Sequence, residues 1–322
     1  MRKLIESLRN KRSSVNAEDL GSNNYSNKDD ITVIIPTLNE EEAIGKVIKE
    51  LKRCGYKNVL VIDGYSEDRT VEIARNYGAE VIYQIGHGKA AAIKTGLEKV
   101  KTRFALIMDG DGTYDPKDIE RLLKVAVEGG YDEVIGYRRD RENIPLIHRL
   151  GNRIISTFLS LLLGRRIKDP CSGMYLLRRD AVENLELTAT GFDVEVEIAS
   201  QVASLGRVAE VPISYRRRVG ESKLKTWRTG FRILLTAVKV AWLYNPVILF
   251  CSMASLFALI GIVILIWQLY TRYLYGAEAW SWGWAWLGLV LLIVGLQAFT
   301  IAIISLLLKR VERRIIDIHR RR

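Results

Sequence analysis

Two aspartates one residue apart are the most informative chemical feature of this chain. Asp109 and Asp111 follow the apolar run FALIM in the segment FALIMDGDGTYDP. Residues i and i+2 of a strand point to the same face, so both carboxylates can reach one divalent cation. The pair therefore predicts a site for a diphosphate bound through Mg²⁺ or Mn²⁺.

Three further polar clusters each follow an apolar run. PTLNE offers Thr37, Asn39 and Glu40 to a nucleoside, although Asn39 with the acidic residues after it also suits an ordinary helix start. IDGYSEDRT offers Asp63 as an acceptor for the edge of a base. GHGKAAAIKTG places Lys89 beside glycines at a helix start, which suits a phosphate or a simple helix cap. It lacks the spacing of a P-loop.

The elements that must position these clusters alternate between strand and helix periods, which is typical of an α/β domain. The predicted strands are 31–36, 58–64, 80–84, 104–109 and 132–137, with helices at 40–54, 70–77, 89–100 and 118–128. In open α/β sheets, ligands bind at the carboxyl ends of the strands. We therefore expect the polar clusters to meet at one edge of the sheet.

Two long apolar runs follow the α/β part. The runs Val247–Tyr270 and Trp280–Leu308 contain no Asp, Glu, Lys or Arg. Each exceeds the ~20 residues that a helix needs to cross the hydrocarbon core. A buried helical pair in a soluble protein is the alternative, but the amphipathic interruptions it requires are missing. The sequence predicts two transmembrane helices that form a hairpin.

The net charge of +11 is concentrated beside these runs. The basic residues are Arg216, Arg217, Arg218, Lys223, Lys225, Arg228, Arg232 and Lys239 before the first run, and Lys309, Arg310, Arg313, Arg314, Arg320, Arg321 and Arg322 after the second. The connection carries only Arg272 and Glu278. By the positive-inside rule, both termini and the α/β domain are cytoplasmic. This placement favours anionic lipid headgroups, and no nucleic acid, as partners.

Two flanking segments have their own character. From Lys223 to Asn245, aromatic and aliphatic residues recur at helical spacing with basic residues largely apart, which predicts an interfacial helix or, alternatively, a helix packed on the domain. The first 30 residues lack the apolar core of a signal peptide and form a polar tail. Three scattered cysteines show no disulfide or metal pattern.

Taken in order, seven motifs resemble the family 2 glycosyltransferases, and in particular the polyprenyl-phosphate enzymes of the dolichol-phosphate mannose synthase type. The motifs are PTLNE, VIDGYSEDRT, GHGKAAAIKTG, MDGDGTYDP, VIGYRR, DPCSGMYLLRR and RRRVGESKL, between about Ile31 and Lys225. The resemblance implies a GT-A fold, a nucleotide-sugar donor, a divalent metal and inversion of the anomeric centre. Two C-terminal spans are a known arrangement in that family.

The resemblance also implies roles for individual residues. The donor site would be formed by Pro36, Leu38, Glu40, Ile62, Asp63, Lys89, Asp109, Gly110, Asp111, Arg217 or Arg218, and Lys223. Thr113 would complete the metal shell beside Asp109 and Asp111, and Arg138 would hold a phosphate. Gly64 stands where the family commonly has a second acid, which leaves the base and the sugar of the donor open.

A lipid monophosphate is already anionic near neutral pH, so it can attack the anomeric carbon without a strong general base. The enzyme must then supply charge stabilisation for the departing diphosphate and arginines that hold two phosphates in line. For the acceptor phosphate we favour Arg149, Asn152 and Ser172, whose alternative role is surface charge and helix capping. Asp109, Asp111, Arg138 and Arg149 are thus the predicted catalytic residues.

The predicted protein is a membrane-bound inverting glycosyltransferase that moves a sugar from GDP-mannose, UDP-glucose or UDP-N-acetylglucosamine to dolichyl or another polyprenyl phosphate. Its segments are a tail (1–30), a GT-A domain (31–222), an interfacial helix (223–246), two transmembrane helices (247–308) and a basic tail (309–322). The alternative acceptor is a glycan or a cell-envelope polysaccharide. A processive synthase would normally carry a Q-x-x-R-W motif, which is missing. The sequence leaves the oligomeric state open, a homo-oligomer included.

Overall fold

The computed structural model of the 322-residue chain describes residues 28–139, 143–144, 146–219, 235, 238 and 246–321. The chain forms two compact units, Ser22–Val240 and Met1–Gly21 with Ala241–Arg322. The predicted tail up to residue 27 and most of the predicted interfacial helix, including Lys223, lie outside the described residues.

The larger unit is built on a seven-stranded mixed sheet. Its strands are β1 (Ile31–Thr37), β2 (Val59–Asp63), β3 (Glu80–Tyr83), β4 (Phe104–Ile107), β5 (Glu133–Arg138), β6 (Tyr175–Arg178) and β7 (Val208–Ile213), in the order β3-β2-β1-β4-β6-β5-β7. Strands β1 to β4 are parallel, whereas β6 runs antiparallel to both β4 and β5. The carboxyl ends of β1, β2 and β4 therefore lie together at one edge.

Helices complete this unit. They are α1 (Glu41–Arg53), α2 (Thr70–Asn76), α3 (Lys89–Leu97), α4 (Asp118–Gly129), α5 (Leu146–Leu163), α6 (Arg179–Val182) and α7 (Val194–Leu205). Along β1, Val33 and Ile35 belong to one apolar cluster and Ile34 to a second, as the alternation of strand side chains requires. The first cluster includes residues of α1 and α4, and the second includes residues of α3 and α7. The sheet is therefore the middle layer between two cores.

Every strand and helix predicted between residues 31 and 137 is present, with ends that differ by at most a few residues. The prediction stopped at the fifth strand, and the structure adds α5, β6, α6, α7 and β7. The added elements matter for function because α5, α7 and the segment after β7 carry side chains of the candidate site.

The smaller unit contains the helices α8 (Pro246–Tyr275) and α9 (Trp282–Arg321). Within them, Leu249–Tyr275 and Trp282–Leu308 are long and apolar enough to cross a membrane, and few of their residues are buried. The predicted second apolar run begins at Trp280, whereas the helix begins at Trp282, after a 3-10 turn at Ala277–Ala279. A side chain at Gly261 would lie 2.8 Å from the carbonyl oxygen of Gly288, so glycines let the helices approach closely.

Candidate active site

Asp109 and Asp111 lie just beyond the carboxyl end of β4, where the sequence placed them. Asp111 is only 6% exposed, and its Oδ1 accepts hydrogen bonds from the Thr113 amide at 3.1 Å and the Thr113 hydroxyl at 2.6 Å. Burial, reinforced by the neighbouring Asp109, raises the pKa of Asp111. Gly110 suits the crowded turn, because a side chain there would lie 3.0 Å from the Thr37 methyl group. The loop thus concentrates negative charge in a buried place, which favours a cation.

Lys89, the first residue of α3, contacts this carboxylate pair directly. Its Nζ lies 2.6 Å from Asp109 Oδ1 and 2.6 Å from Glu195 Oε1, near the start of α7. Burial by itself would lower the pKa of Lys89, but the two carboxylates hold it above its usual range. Lys89, which the sequence analysis assigned to the donor site, therefore lies in direct contact with Asp109.

Arg218 occupies the other side of the pair. One guanidinium nitrogen lies 3.3 Å from Asp111 Oδ2 and another 2.8 Å from Glu40 Oε1. The segment after β7 runs beside the loop after β4. The backbone amide of Arg216 donates a hydrogen bond to the Thr113 carbonyl, and that of Val219 donates to the Asp111 carbonyl. Of the two adjacent arginines that the sequence left as alternatives, Arg218 faces the carboxylates and Arg217 is exposed.

The loops after β1 and β2 form the neighbouring part of the edge. Asp63 is fully buried, and both its oxygens accept hydrogen bonds from Ser66, at 2.6 and 2.8 Å. The Asn39 amide donates to Ser66 Oγ at 2.8 Å, which joins the two loops. Ile62 is buried in β2, whereas Leu38 is 43% exposed beyond β1 and is free to line a ligand site. Asp63 thus braces the loop, in addition to its predicted role near the base.

Arg138 and Asn152, the latter one of the three predicted acceptor residues, both contact Asp169, which is fully buried. Arg138 binds its carboxylate through two guanidinium nitrogens, each at 2.7 Å, and the Asn152 side chain of α5 donates to it at 2.8 Å. Burial by itself would raise the pKa of Asp169, but the Arg138 guanidinium holds it below its usual range. Arg138 and Asn152 are therefore brought together by a carboxylate that the sequence analysis did not select.

The two remaining acceptor candidates have different surroundings. Arg149 Nε donates to the Ile144 carbonyl at 2.7 Å at the start of α5. Ser172 is buried, and its hydroxyl donates to the Gly136 carbonyl at 2.5 Å. Ser172 thus fixes the loop before β6 to β5.

Two tyrosines connect the Asp169 cluster with the carboxylate pair. The Arg138 guanidinium lies 5.4 Å from the centre of the Tyr215 ring, and Tyr215 packs edge-on against Tyr114 at 5.5 Å. The Tyr114 hydroxyl accepts from the Gly173 amide at 2.8 Å. Gly173 in turn leaves room for Asp109, since a side chain there would lie 2.1 Å from Asp109 Oδ2. The two clusters thus form one continuous site.

The donor set fits a cation that arrives with a diphosphate. In the described part of the chain, no group of three His, Cys, Asp or Glu side chains could enclose a metal. Two carboxylates alone match Mg²⁺-type binding, in which one or two protein carboxylates share the ion with substrate phosphates and water. Lys89 and Arg218, one on each carboxylate, add positive charge for those phosphates.

Two acidic residues of this site were missed from the sequence. Glu195 and Asp169 stand in FDVEVE and KDPCSG, far along the chain from their partners. The motif DPCSGMYLLRR was recognised, but the first residue of that motif was not selected. Neither local spacing nor periodicity indicates which acid of FDVEVE faces Lys89, because that contact depends on how α7 packs.

The chain is similar to known glycosyltransferases. A family model described as "Glycosyl transferase family 2" matches residues 32–186. Glycosyltransferase AglJ of Haloferax volcanii is 36% identical over 231 residues, which is 70% of this chain and 76% of that protein. Dolichyl-phosphate hexose transferase of the same organism is also 36% identical, over 66% of this chain and 94% of that protein.

Dolichol-phosphate mannosyltransferase of Pyrococcus furiosus is 33% identical over 61% of this chain and 59% of that protein. Among solved structures, glucosyl-3-phosphoglycerate synthase from Mycobacterium tuberculosis in complex with phosphoglyceric acid superposes with a TM-score of 0.58 at 22% identity, over 66% of this chain and 79% of that one. This likeness shows the fold, the GT-A arrangement that the sequence resemblance implied.

Proposed function

Because this chain belongs to glycosyltransferase family 2, we propose that it transfers a monosaccharide from a nucleotide sugar to dolichyl or another polyprenyl phosphate at a membrane. The observation that carries the proposal is the pair Asp109 and Asp111 held between Lys89 and Arg218. Relatives named dolichyl-phosphate hexose transferase and dolichol-phosphate mannosyltransferase support the choice of acceptor.

The donor would lie along the carboxyl ends of β1, β2 and β4. Its diphosphate would share a Mg²⁺ or Mn²⁺ ion with Asp109 and Asp111, and such an ion stabilises the charge that develops on the departing nucleoside diphosphate. Thr113 orients Asp111 and is the further candidate beside the ion. Structures of glucosyl-3-phosphoglycerate synthase with Mn²⁺ and UDP-glucose, and with Mg²⁺ and UDP, support a divalent cation. The nucleoside would contact Pro36, Leu38, Glu40, Ile62 and Asp63.

Arg218, which contacts Glu40 and Asp111, would bind the diphosphate. A guanidinium presents several donors in one plane and suits phosphate oxygens. Arg217 and Lys223 remain candidates for the same task.

The acceptor phosphate would bind near Arg138, Arg149 and Asn152, with Ser172 supporting the loop beneath. Its oxygen is the nucleophile and attacks the anomeric carbon on the face opposite the leaving diphosphate, so the configuration inverts. Because a phosphate monoester is ionised near neutral pH, no side chain has to remove a proton. Holding two anionic groups in line is the main task of the arginines.

Both units have exposed apolar surfaces that suit a lipid acceptor. Helix α5 carries Asn152 and exposes Leu146, Leu150, Ile154 and Leu161, which are 55% to 76% exposed. Helices α8 and α9 would cross the membrane as a hairpin, with the basic flanks on the cytoplasmic side. The segment 223–246 would lie at the membrane interface, between a GT-A domain at 31–222 and the transmembrane helices at 247–308.

The proposal is tested by sugar transfer with the full-length purified protein. GDP-mannose, UDP-glucose and UDP-N-acetylglucosamine, each radiolabelled, are supplied with polyprenyl phosphate and either Mn²⁺ or EDTA. We expect one donor to give a metal-dependent glycolipid, lost in Asp111→Asn and retained in Asp180→Asn, a surface aspartate with 79% side-chain exposure. A folded protein that gives no glycolipid with any donor would refute the lipid acceptor and favour a glycan or cell-envelope polysaccharide.

A further inference from the structure

Glu195 contacts the candidate site from a helix to which the mechanism above gives no role. We propose that Glu195 is a positioning residue that acts through Lys89 and keeps Asp109 competent to bind the metal-bound diphosphate. The inference rests on the proposed function only in that a divalent cation binds Asp109 and Asp111. It does not depend on which sugar or which acceptor the enzyme uses.

Three distant segments meet at the Lys89 ammonium. Asp109 Oδ1 and Glu195 Oε1 each lie 2.6 Å from Lys89 Nζ, and the side chains of Lys89 and Glu195 are only 11% and 5% exposed. Asp109 is more open, at 27%. The ammonium is therefore shared between an outer carboxylate that faces the ligand site and an inner carboxylate that does not.

The backbone around Lys89 is fitted to this contact. Gly88 has a φ of +86°, and a side chain there would lie 2.5 Å from the Thr190 carbonyl oxygen. The Lys89 ammonium also lies 5.4 Å from the centre of the Phe192 ring. Only glycine at position 88 allows the start of α3 to press against the segment that leads into α7.

Glu195 differs from the two acids that flank it. The Asp193 carboxylate accepts from the Gly191 amide, and the Glu197 carboxylate accepts from the Thr188 and Ala189 amides, so both serve the fold of their own segment. Glu195 Oε1 instead reaches Lys89, and its Oε2 is buried with no hydrogen-bond partner among the described residues. A carboxylate kept in this place with one oxygen unpaired is costly for the fold, which argues for a role beyond stability.

That role follows from the charges. One ammonium faces two carboxylates, so Asp109 is only partly neutralised and keeps its attraction for a cation. Without the charge of Glu195, the ammonium would pair with Asp109 alone and compete with the metal. On its other side Asp109 lies against Gly173, which has no side chain to displace it from Lys89.

The test measures Mn²⁺ affinity by electron paramagnetic resonance on the full-length protein, with UDP and GDP supplied in turn. Removal of groups that orient metal ligands commonly costs tenfold or more in metal affinity. We expect Glu195→Gln and Glu195→Asp to weaken Mn²⁺ binding at least about tenfold, the latter because the shorter side chain loses the contact. Glu197→Gln is the matched control, and it should lower the unfolding temperature without changing Mn²⁺ affinity.

A double-mutant cycle decides whether Glu195 acts through Lys89. In a Lys89→Met background, Glu195→Gln should cause no further loss of Mn²⁺ affinity. Unchanged Mn²⁺ affinity in the single Glu195 variants would overturn the inference. So would a loss of Mn²⁺ affinity on Glu195→Gln in the Lys89→Met background as large as in the wild type, or an equally large loss in Glu197→Gln. If Lys89→Met does not fold, the comparison of Glu195→Asp with Glu197→Gln decides.

The outcomes also separate this inference from the proposed function. Sugar transfer to polyprenyl phosphate by the wild type, together with unchanged Mn²⁺ affinity in Glu195→Gln, refutes the role of Glu195 alone. Absence of transfer to any polyprenyl phosphate, together with weakened Mn²⁺ binding in Glu195→Gln, refutes the acceptor and supports the role of Glu195.

Discussion

Replacement of Gly173 by alanine should displace the carboxylate of Asp109, which we propose as a metal ligand, without disturbing the fold. The added methyl group would lie 2.1 Å from Asp109 Oδ2 and 2.7 Å from Asp109 Cγ. An ordinary contact needs about 3.4 Å, so the oxygen must retreat by the difference of 3.4 and 2.1, about 1.3 Å. The movement also disturbs the 2.6 Å contact between Asp109 and Lys89.

The expected magnitude follows from this displacement. A misplacement of about 1 Å in a reacting assembly can cost on the order of 10²-fold in rate. We therefore expect Gly173→Ala to reduce sugar transfer about a hundredfold and to weaken Mn²⁺ binding. The free energy of unfolding should change by less than about 1 kcal/mol, because only the end of one short side chain moves and alanine restricts the unfolded chain.

The assay compares initial rates of glycolipid formation, Mn²⁺ titrations and thermal unfolding. Gly151→Ala is the matched control for thermal unfolding and Mn²⁺ binding, since a side chain at Gly151 meets nothing within 4 Å. Wild-type rate and Mn²⁺ affinity in a folded Gly173→Ala protein would refute the placement of Asp109 at the metal. A large fall in unfolding temperature would instead show that the substitution disturbs the fold.

Three further predictions concern stability. Burial, with a contribution from Glu210, raises the pKa of Glu133 to about 8, so the folded protein holds a proton that the unfolded chain releases near pH 4.5. The stability that this proton contributes is lost as the pH rises between those two values. Glu133→Gln should therefore remove a pH dependence of the free energy of unfolding, on the order of a few kcal/mol between pH 5 and 8, as measured by thermal unfolding. Asp169→Asn should lower the free energy of unfolding by about 3 kcal/mol, because the buried guanidinium of Arg138 loses its counter-charge; a loss below ~1 kcal/mol in denaturant titration would contradict that reading. Gly261→Leu should separate the apolar helices and lower the unfolding temperature in detergent, whereas Gly283→Leu, with no neighbour nearer than 3.9 Å, should not.

The sequence was most informative where chemistry and local pattern coincide. A buried run followed by Asp109 and Asp111 required only the two-residue period of a strand to place both carboxylates at a strand end, and β4 ends just before them. The strands through β5 were predictable for the same reason, since their apolar runs are short and bounded by polar turns. The family and the GT-A fold followed from the order of the motifs along the chain.

The part of the larger unit after β5 was harder to predict from the sequence. Strand β6 runs antiparallel between β4 and β5. Its pairing depends on partners far away in the chain, so the local pattern of YLLR could not reveal it. The sequence analysis selected Arg149 and Asn152 but did not predict helix α5, and the exposed aliphatic residues of α5 became evident only from the packing of the unit.

The amino-acid sequence was enough to derive two aspartates at the end of a buried strand, the α/β scaffold and the two apolar spans, because each depends on residues close together in the chain. Three contacts became known from the folded chain alone: Arg218 and not Arg217 faces Asp111, Asp169 binds both Arg138 and Asn152, and Glu195 shares Lys89 with Asp109. These contacts are electrostatic and act through space, so they join residues that are distant in the sequence. A carboxylate more than 100 positions from Lys89 becomes its partner only when α7 packs into the same apolar cluster as α3, and no periodicity of the sequence indicates that contact.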